Sequence, residues 1–154
     1  MRVDFYHLTR WGLDRALPPL LMKVLDGGQR AVVRAGSRER VEDLAAHLWS
    51  FDPAAWLPHG TARDGSPAEQ PVWLTERDEN PNRATVLVLV DGTGAESLAD
   101  WGRCLDLFDG GDADAVAAAR ERWVSAREQG HALYYWQQSD SGGWVEKARH
   151  APTA

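Results

Sequence analysis

The 154-residue chain predicts an α/β fold: one domain with a mostly parallel, twisted sheet flanked by helices, Rossmann-like but without a nucleotide site. Three observations predict it. The first 49 residues alternate strand and helix patterns, which points to a parallel sheet. Residues 86–90 are an unbroken run of Val and Leu, the mark of a central strand covered on both faces. The last long helical pattern runs directly into an aromatic strand.

The elements follow in order. Residues 3–8 alternate and are rich in aromatic side chains, so they read as a strand. Asp14 is placed to cap a helix over residues 15–25, with Pro18 and Pro19 suited only to its first turn. Leu17, Leu20, Leu21, Val24 and Leu25 mark its apolar face, and Gly27-Gly28 stops it. Residues 30–34 form a short strand. Ser37 caps a helix over 38–49 with Val41, Leu44, Ala45, Leu48 and Trp49 as its buried stripe. Residues 51–71 are loop-rich, holding Pro53, Pro58, Pro67 and Pro71, with Trp56-Leu57-Pro58 as a short edge strand.

Further strands are expected at 71–74, 84–90 and 103–108, with a polar turn at 76–82 and a short helix at 95–100. Asp112 or Asp114 caps the last long helix, Gly130 stops it, and residues 131–137 form the aromatic strand. Residues 144–147 extend the sheet edge. The domain is assigned to residues 1–148, with 149–154 as a flexible tail.

Composition narrows the function. A net charge of −6 disfavours non-specific contact with a phosphate backbone. The single cysteine, Cys104, forms no internal disulfide, which suits a reducing cytoplasm. The first ten residues read as a strand and not as a signal peptide. Only two of the 17 basic residues are lysines, Lys23 and Lys147. That fits bidentate carboxylate recognition, and it fits genome composition equally well. The eight tryptophans divide between core and contact surface.

A search for chemistry finds little. The turn Asp91-Gly92-Thr93-Gly94 after the apolar strand is the best phosphate candidate, yet no G-x-x-x-x-G-K-[ST] or G-x-G-x-x-G occurs. A tight strand-to-helix turn explains it as well. The five histidines show no H-x-x-x-H or H-E-x-x-H spacing, so neither a metal nor any other cofactor is expected. An Asp91–His59 catalytic pair is disfavoured, because an aspartate at a strand end more often caps the next turn.

Two constellations stand out. Val116, Arg120, Trp123 and Arg127 fall on one face of the last helix, where two guanidiniums bracket an indole. They suit an acidic peptide ending in an aromatic side chain, or else they are snorkelling arginines on a partly buried helix. Leu48-Trp49 followed by Trp56-Leu57-Pro58-His59-Gly60 builds either an apolar contact patch or part of the core.

Taken in order, several short motifs span nearly the whole chain. They are Phe5-Tyr6, Leu48-Trp49, Leu57-Pro58-His59-Gly60, Pro71-Val72, Asn82 before an apolar strand, Arg120-Glu121-Arg122-Trp123 and the closing strand after Gly130. The series resembles the DNA polymerase III chi subunit family, and the closing G-H-x-L-x-Y-W-Q-Q resembles one branch of it. The resemblance implies a non-catalytic α/β protein that bridges the polymerase holoenzyme and single-stranded DNA-binding protein (SSB). It implies capture of the acidic SSB C-terminal tail, which ends in Pro-Phe, by an apolar residue before the last helix and by basic and aromatic residues on it.

Here those positions fall at Phe108, Arg120 and Trp123, with Val116 in the pocket wall. Two further family basic positions fall near Val116 and Val124, where this sequence has no charge. Arg127, on the same face, is our own substitute for one of them. Losing two charge-assisted hydrogen bonds, each worth roughly 1.5–3 kcal/mol, weakens such binding about a hundredfold or more. The resemblance also implies a second small clamp-loader subunit, psi, bound near Trp49, Trp56, Pro58 and His59. Contact with DNA is then mainly indirect, through SSB, with no membrane partner. Two competing expectations are a nucleotide-binding or hydrolytic enzyme at the 91–94 turn, and a single-stranded nucleic-acid module stacking bases on its tryptophans.

Overall fold

The computed structural model describes residues 1–52 and 56–152, so Pro53 and the last two tail residues lie outside the described residues. The strands are β1 (Arg2–Leu8), β2 (Ala31–Arg34), β3 (Val72–Thr75), β4 (Val86–Leu89), β5 (Arg103–Asp109), β6 (Ala132–Gln138) and β7 (Trp144–His150). The helices are α1 (Leu13–Asp26), α2 (Arg38–Ser50) and α3 (Ala113–Glu128). The sheet order is β3-β2-β4-β5-β1-β6-β7. Every pairing is parallel except β6 with β7, so the expected fold class is the observed one.

Strand alternation sorts the core into two layers. Val33, Val88, Leu105 and Leu107 face α1 and α2, meeting Leu17, Leu21, Leu44 and Leu48. Val32, Leu87, Cys104 and Leu133 face the other way, meeting Ala119 and Ala126 of α3. β4 is buried on both faces, as its continuous apolar run requires. Asn82, just before it, is fully buried and donates to the carbonyls of Ala31 and Gln70, tying the start of β2 to the loop that enters β3.

Several local expectations need correction. Helix α1 starts at Leu13 with Gly12 as its N-cap, and Asp14 sits in the first turn and makes no cap bond. Pro18 and Pro19 therefore lie in the second turn. Residues 95–100 are not helical. There the Glu96 amide is taken by the Asp78 carboxylate and the Ala99 amide by Ser97 Oγ, so the backbone donors find partners without a helix. The segment still covers the sheet, packing Ala95 and Leu98 on the α3-side core, with Trp101 buried in it. Trp56-Leu57-Pro58 forms no strand; the nearest pairing is one bridge from Gly60 to Trp73. β7 runs on through His150, which pairs with Leu133. No helix among the described residues is long and apolar enough to cross a membrane.

Candidate functional site

The last helix is anchored at both ends. Asp112 Oδ1 accepts from the Asp114 and Ala115 amides, and Gly130 supplies the left-handed stop with φ +86°. The small residues Ala119 and Ala126 face the sheet and let the helix sit close to it. Its two flanks then do different things.

One flank carries the four residues grouped by spacing. Val116 and Trp123 pack against the core, and Arg120 and Arg127 are exposed beside them. Neither arginine side chain makes a hydrogen bond or ion pair among the described residues, so both guanidiniums keep their full donor capacity. Trp123 lies 5.4 Å from Phe5 and 6.0 Å from Tyr135, ring centre to ring centre. Phe108 lies 6.0 Å from Tyr135 on β6 and 5.1 Å from His7 on β1. Tyr135 therefore links Phe108 to Trp123.

Phe108 is only 4% exposed and backs this flank from within the core. The accessible rings on this flank are Trp123, Tyr135 and His7. The sequence motifs missed His7 and Tyr135, although strand alternation carried the signal. His7 is two residues after Phe5, and Tyr135 is two after Leu133, on the face that α3 covers.

His7 Nδ1 and the Tyr135 hydroxyl share a hydrogen bond of 2.6 Å. Burial holds the His7 imidazole below its ordinary value, a backbone bond at Gly110 opposes this, and the Arg120 charge adds to the lowering. Burial also raises the Tyr135 phenol, while Arg120 pulls it back. A Cβ on Gly110 would collide with the His7 ring, so glycine is needed where β5 turns towards α3.

The opposite flank of α3 carries Arg122. It grips the buried Asp106 carboxylate of β5 in a two-point bond, Nε to Oδ2 at 2.6 Å and Nη2 to Oδ1 at 2.9 Å. A second buried carboxylate, Asp4, accepts from Arg2, from Arg103 Nε at 2.8 Å and from Trp136 Nε1 at 2.9 Å. Single-residue motifs do not reveal either cluster.

The second constellation is partly a surface. Trp49 is 60% exposed and Trp56 75% exposed, which corrects the placing of Trp49 in the buried stripe of α2. Pro58 is half-buried. His59 is buried, not exposed: its ring nitrogens lie 2.7 Å from the Leu57 carbonyl and 3.1 Å from the Ala45 carbonyl. It supports the patch from below, with Trp49 tilted over it at 4.5 Å.

The 91–94 turn is committed to structure. Asp91, at φ +57°, accepts from the Gly36 amide and from Arg40 Nε. Thr93 Oγ1 lies within hydrogen-bond distance of the Val90 and Arg34 carbonyls, and Arg34 reaches the Gly94 carbonyl. No helix follows to present amides to a phosphate. A crevice of about 710 Å³ opens at the carboxyl ends of β1 and β5, where neighbouring strands send their helices to opposite faces. Asp91, Asp109, Asp112 and Asp114 line it together with Arg10, Arg40 and Arg122, of which Arg40 is paired with Asp91 and Arg122 with Asp106. Among the described residues, no group of three or more His, Cys, Asp or Glu side chains could hold a metal ion.

Comparison with known proteins places this geometry in a family. Residues 1–134 match the family described as DNA polymerase III chi subunit, HolC. A relative from Rickettsia prowazekii (strain Madrid E), named probable DNA polymerase III subunit chi, is 31% identical over 105 residues. That match covers 68% of this chain and 64% of the relative, so just under two thirds of the relative's length is spanned.

Proposed function

The chain belongs to the DNA polymerase III chi subunit family, and on that premise we propose that it is a non-catalytic accessory subunit of the bacterial clamp-loader complex. It links the cytoplasmic replicase to SSB by capturing the acidic SSB C-terminal tail. The observation that carries this reading is the pair of uncommitted guanidiniums, Arg120 and Arg127, alongside the half-buried Trp123 and Tyr135 rings. Arginines hold the tail carboxylates, and the aromatic shelf takes the terminal phenylalanine side chain. Because those charges are exposed, binding weakens with salt. Trp49 and Trp56, supported by His59, form the surface for a psi-like clamp-loader partner.

The test is a fluorescence-anisotropy titration of a labelled SSB tail peptide, with and without its final phenylalanine, against this protein and Arg120→Ala. Binding that needs both the phenylalanine and Arg120 supports tail capture at α3. Equal binding by Arg120→Ala, or none at low salt, rejects it.

A further inference from the structure

We propose that the face of the sheet opposite α3 carries a direct contact site for single-stranded nucleic acid, independent of the tail-capture reading. Between α1 and the β1–β6–β7 edge lies a pocket of about 250 Å³. Its walls include the rings of Tyr6, Trp136 and Trp144, with Lys23, Arg103 and the Gln29 amide at its margin. Tyr6 and Trp144 meet edge to face at 4.9 Å, so the ring positions are set by mutual packing. Both indoles are only partly buried.

The charge of this pocket runs against that of the whole protein. Lys23 and Arg103 line it with no acidic residue among the lining, while Arg103 and Arg2 share the buried Asp4 carboxylate, in a chain of net charge −6. The Lys23 side chain is exposed and makes no ion pair or hydrogen bond among the described residues. Indole rings stack on any base without reading its identity, and a free lysine beside them meets the phosphate. The Gln29 amide can bond a base edge. A planar base with an adjoining phosphate suits this combination better than an acidic peptide does. The Asp4 carboxylate already holds the Arg2 and Arg103 guanidiniums, leaving Lys23 as a free cation beside two partly exposed indoles. The site and the α3 flank lie on opposite faces of the sheet, so one molecule can hold strand and tail together.

The test is an anisotropy titration of a labelled oligo-dT of roughly 15 nucleotides with the full chain, at low ionic strength and at about 0.15 M salt. The variants are Trp144→Ala, Lys23→Gln and, as a control for net charge, the exposed Arg38→Gln on α2. Trp144→Ala and Lys23→Gln are each expected to weaken binding about fivefold or more, with Arg38→Gln unchanged. Lys23→Gln is also expected to lower the salt slope by about 0.7, the loss of one phosphate contact to a single strand. Should Trp144→Ala fail to fold, Lys23→Gln carries the test, since that side chain is exposed and unpaired. Absence of binding at low salt overturns the proposal, as does wild-type affinity in both variants. So does displacement by dTMP mole for mole, which marks a mononucleotide pocket. Displacement by an SSB tail peptide that itself needs Lys23 overturns it in favour of a peptide site.

Discussion

His47 Nε2 sits 2.6 Å from the backbone carbonyl of Asp14, the carbonyl that Pro18 leaves without an α-helical partner. A proline four residues on cannot return an N–H, so α1 has an open acceptor in its first turn. α2 supplies the donor from its own last turn, and a helix interruption becomes a tie between two helices. His47→Ala is expected to cost about 0.5–1.5 kcal/mol, the net worth of one hydrogen bond. In a Pro18→Ala background the cost should largely vanish, because the alanine N–H restores the intrahelical bond. A double-mutant cycle by urea denaturation measures the coupling; strict additivity would show that His47 does not stand in for the N–H that Pro18 lacks.

Arg122 and Asp106 form the pair whose loss should hurt most. Arg122→Leu leaves a carboxylate buried beneath α3 with no partner and is expected to cost about 3–5 kcal/mol at neutral pH. The deficit is also pH-dependent. Burial pushes the Asp106 carboxyl up, and Arg122 pulls it back. A carboxyl raised in the folded state favours folding fully below its unfolded value of 3.8 and loses that contribution as pH rises through the folded value. Removing Arg122 raises the folded value further. The variant's deficit should therefore shrink as pH is lowered towards 4, which urea melts at several pH values would reveal.

Gln138 holds the loop after β1 through one atom: its Oε1 accepts from the amides of Thr9, Arg10 and Trp11 at 3.2, 3.0 and 2.9 Å. Its Nε2 is buried and has no partner. Gln138→Leu should destabilise by about 1–3 kcal/mol and speed amide exchange at residues 9–11. Gln138→Glu keeps the acceptor and removes the orphan donor, so those amides should stay protected at neutral pH. Equal exchange in the two variants would show that the loop is held by other means.

The architecture was legible where one local rule decided the outcome. Ser37 caps α2 as expected, Asp112 is the one of the two candidate aspartates that caps α3, and the apolar 86–90 run is a central strand. Legibility failed where distant residues decide. Two of the three partners of Asp4, Arg103 and Trp136, stand 99 and 132 residues away, so neither the full cluster nor the aromatic pocket beside it is visible as a motif. Trp49 fits the apolar period of α2 but lies at the edge of its stripe, and only the packing of His59 beneath it explains its exposure. On α3 the spacing correctly grouped four residues, but their partners on β1 and β6 come from sheet order.

Arg120 should report on its own surroundings before any peptide is added. Its charge lowers both the His7 imidazole and the Tyr135 phenol, although burial is the larger influence on each and acts in opposite directions. Arg120→Ala is therefore expected to move both titrations upward. NMR of the His7 ring and alkaline absorbance titration of the tyrosines would follow them. Burial raises Tyr6 to about 12, which sets its signal apart. For His7 the sign carries through to stability. A lowered imidazole favours folding above its unfolded value of 6.5 and loses that contribution as pH falls through the folded value. Arg120→Ala narrows that window, so the variant should lose less stability than wild type between neutral and mildly acidic pH. A tail peptide bound at this flank should move the same two signals, because its carboxylates neutralise the same guanidinium. If the peptide bound and left His7 and Tyr135 untouched, it would have to lie elsewhere on the molecule.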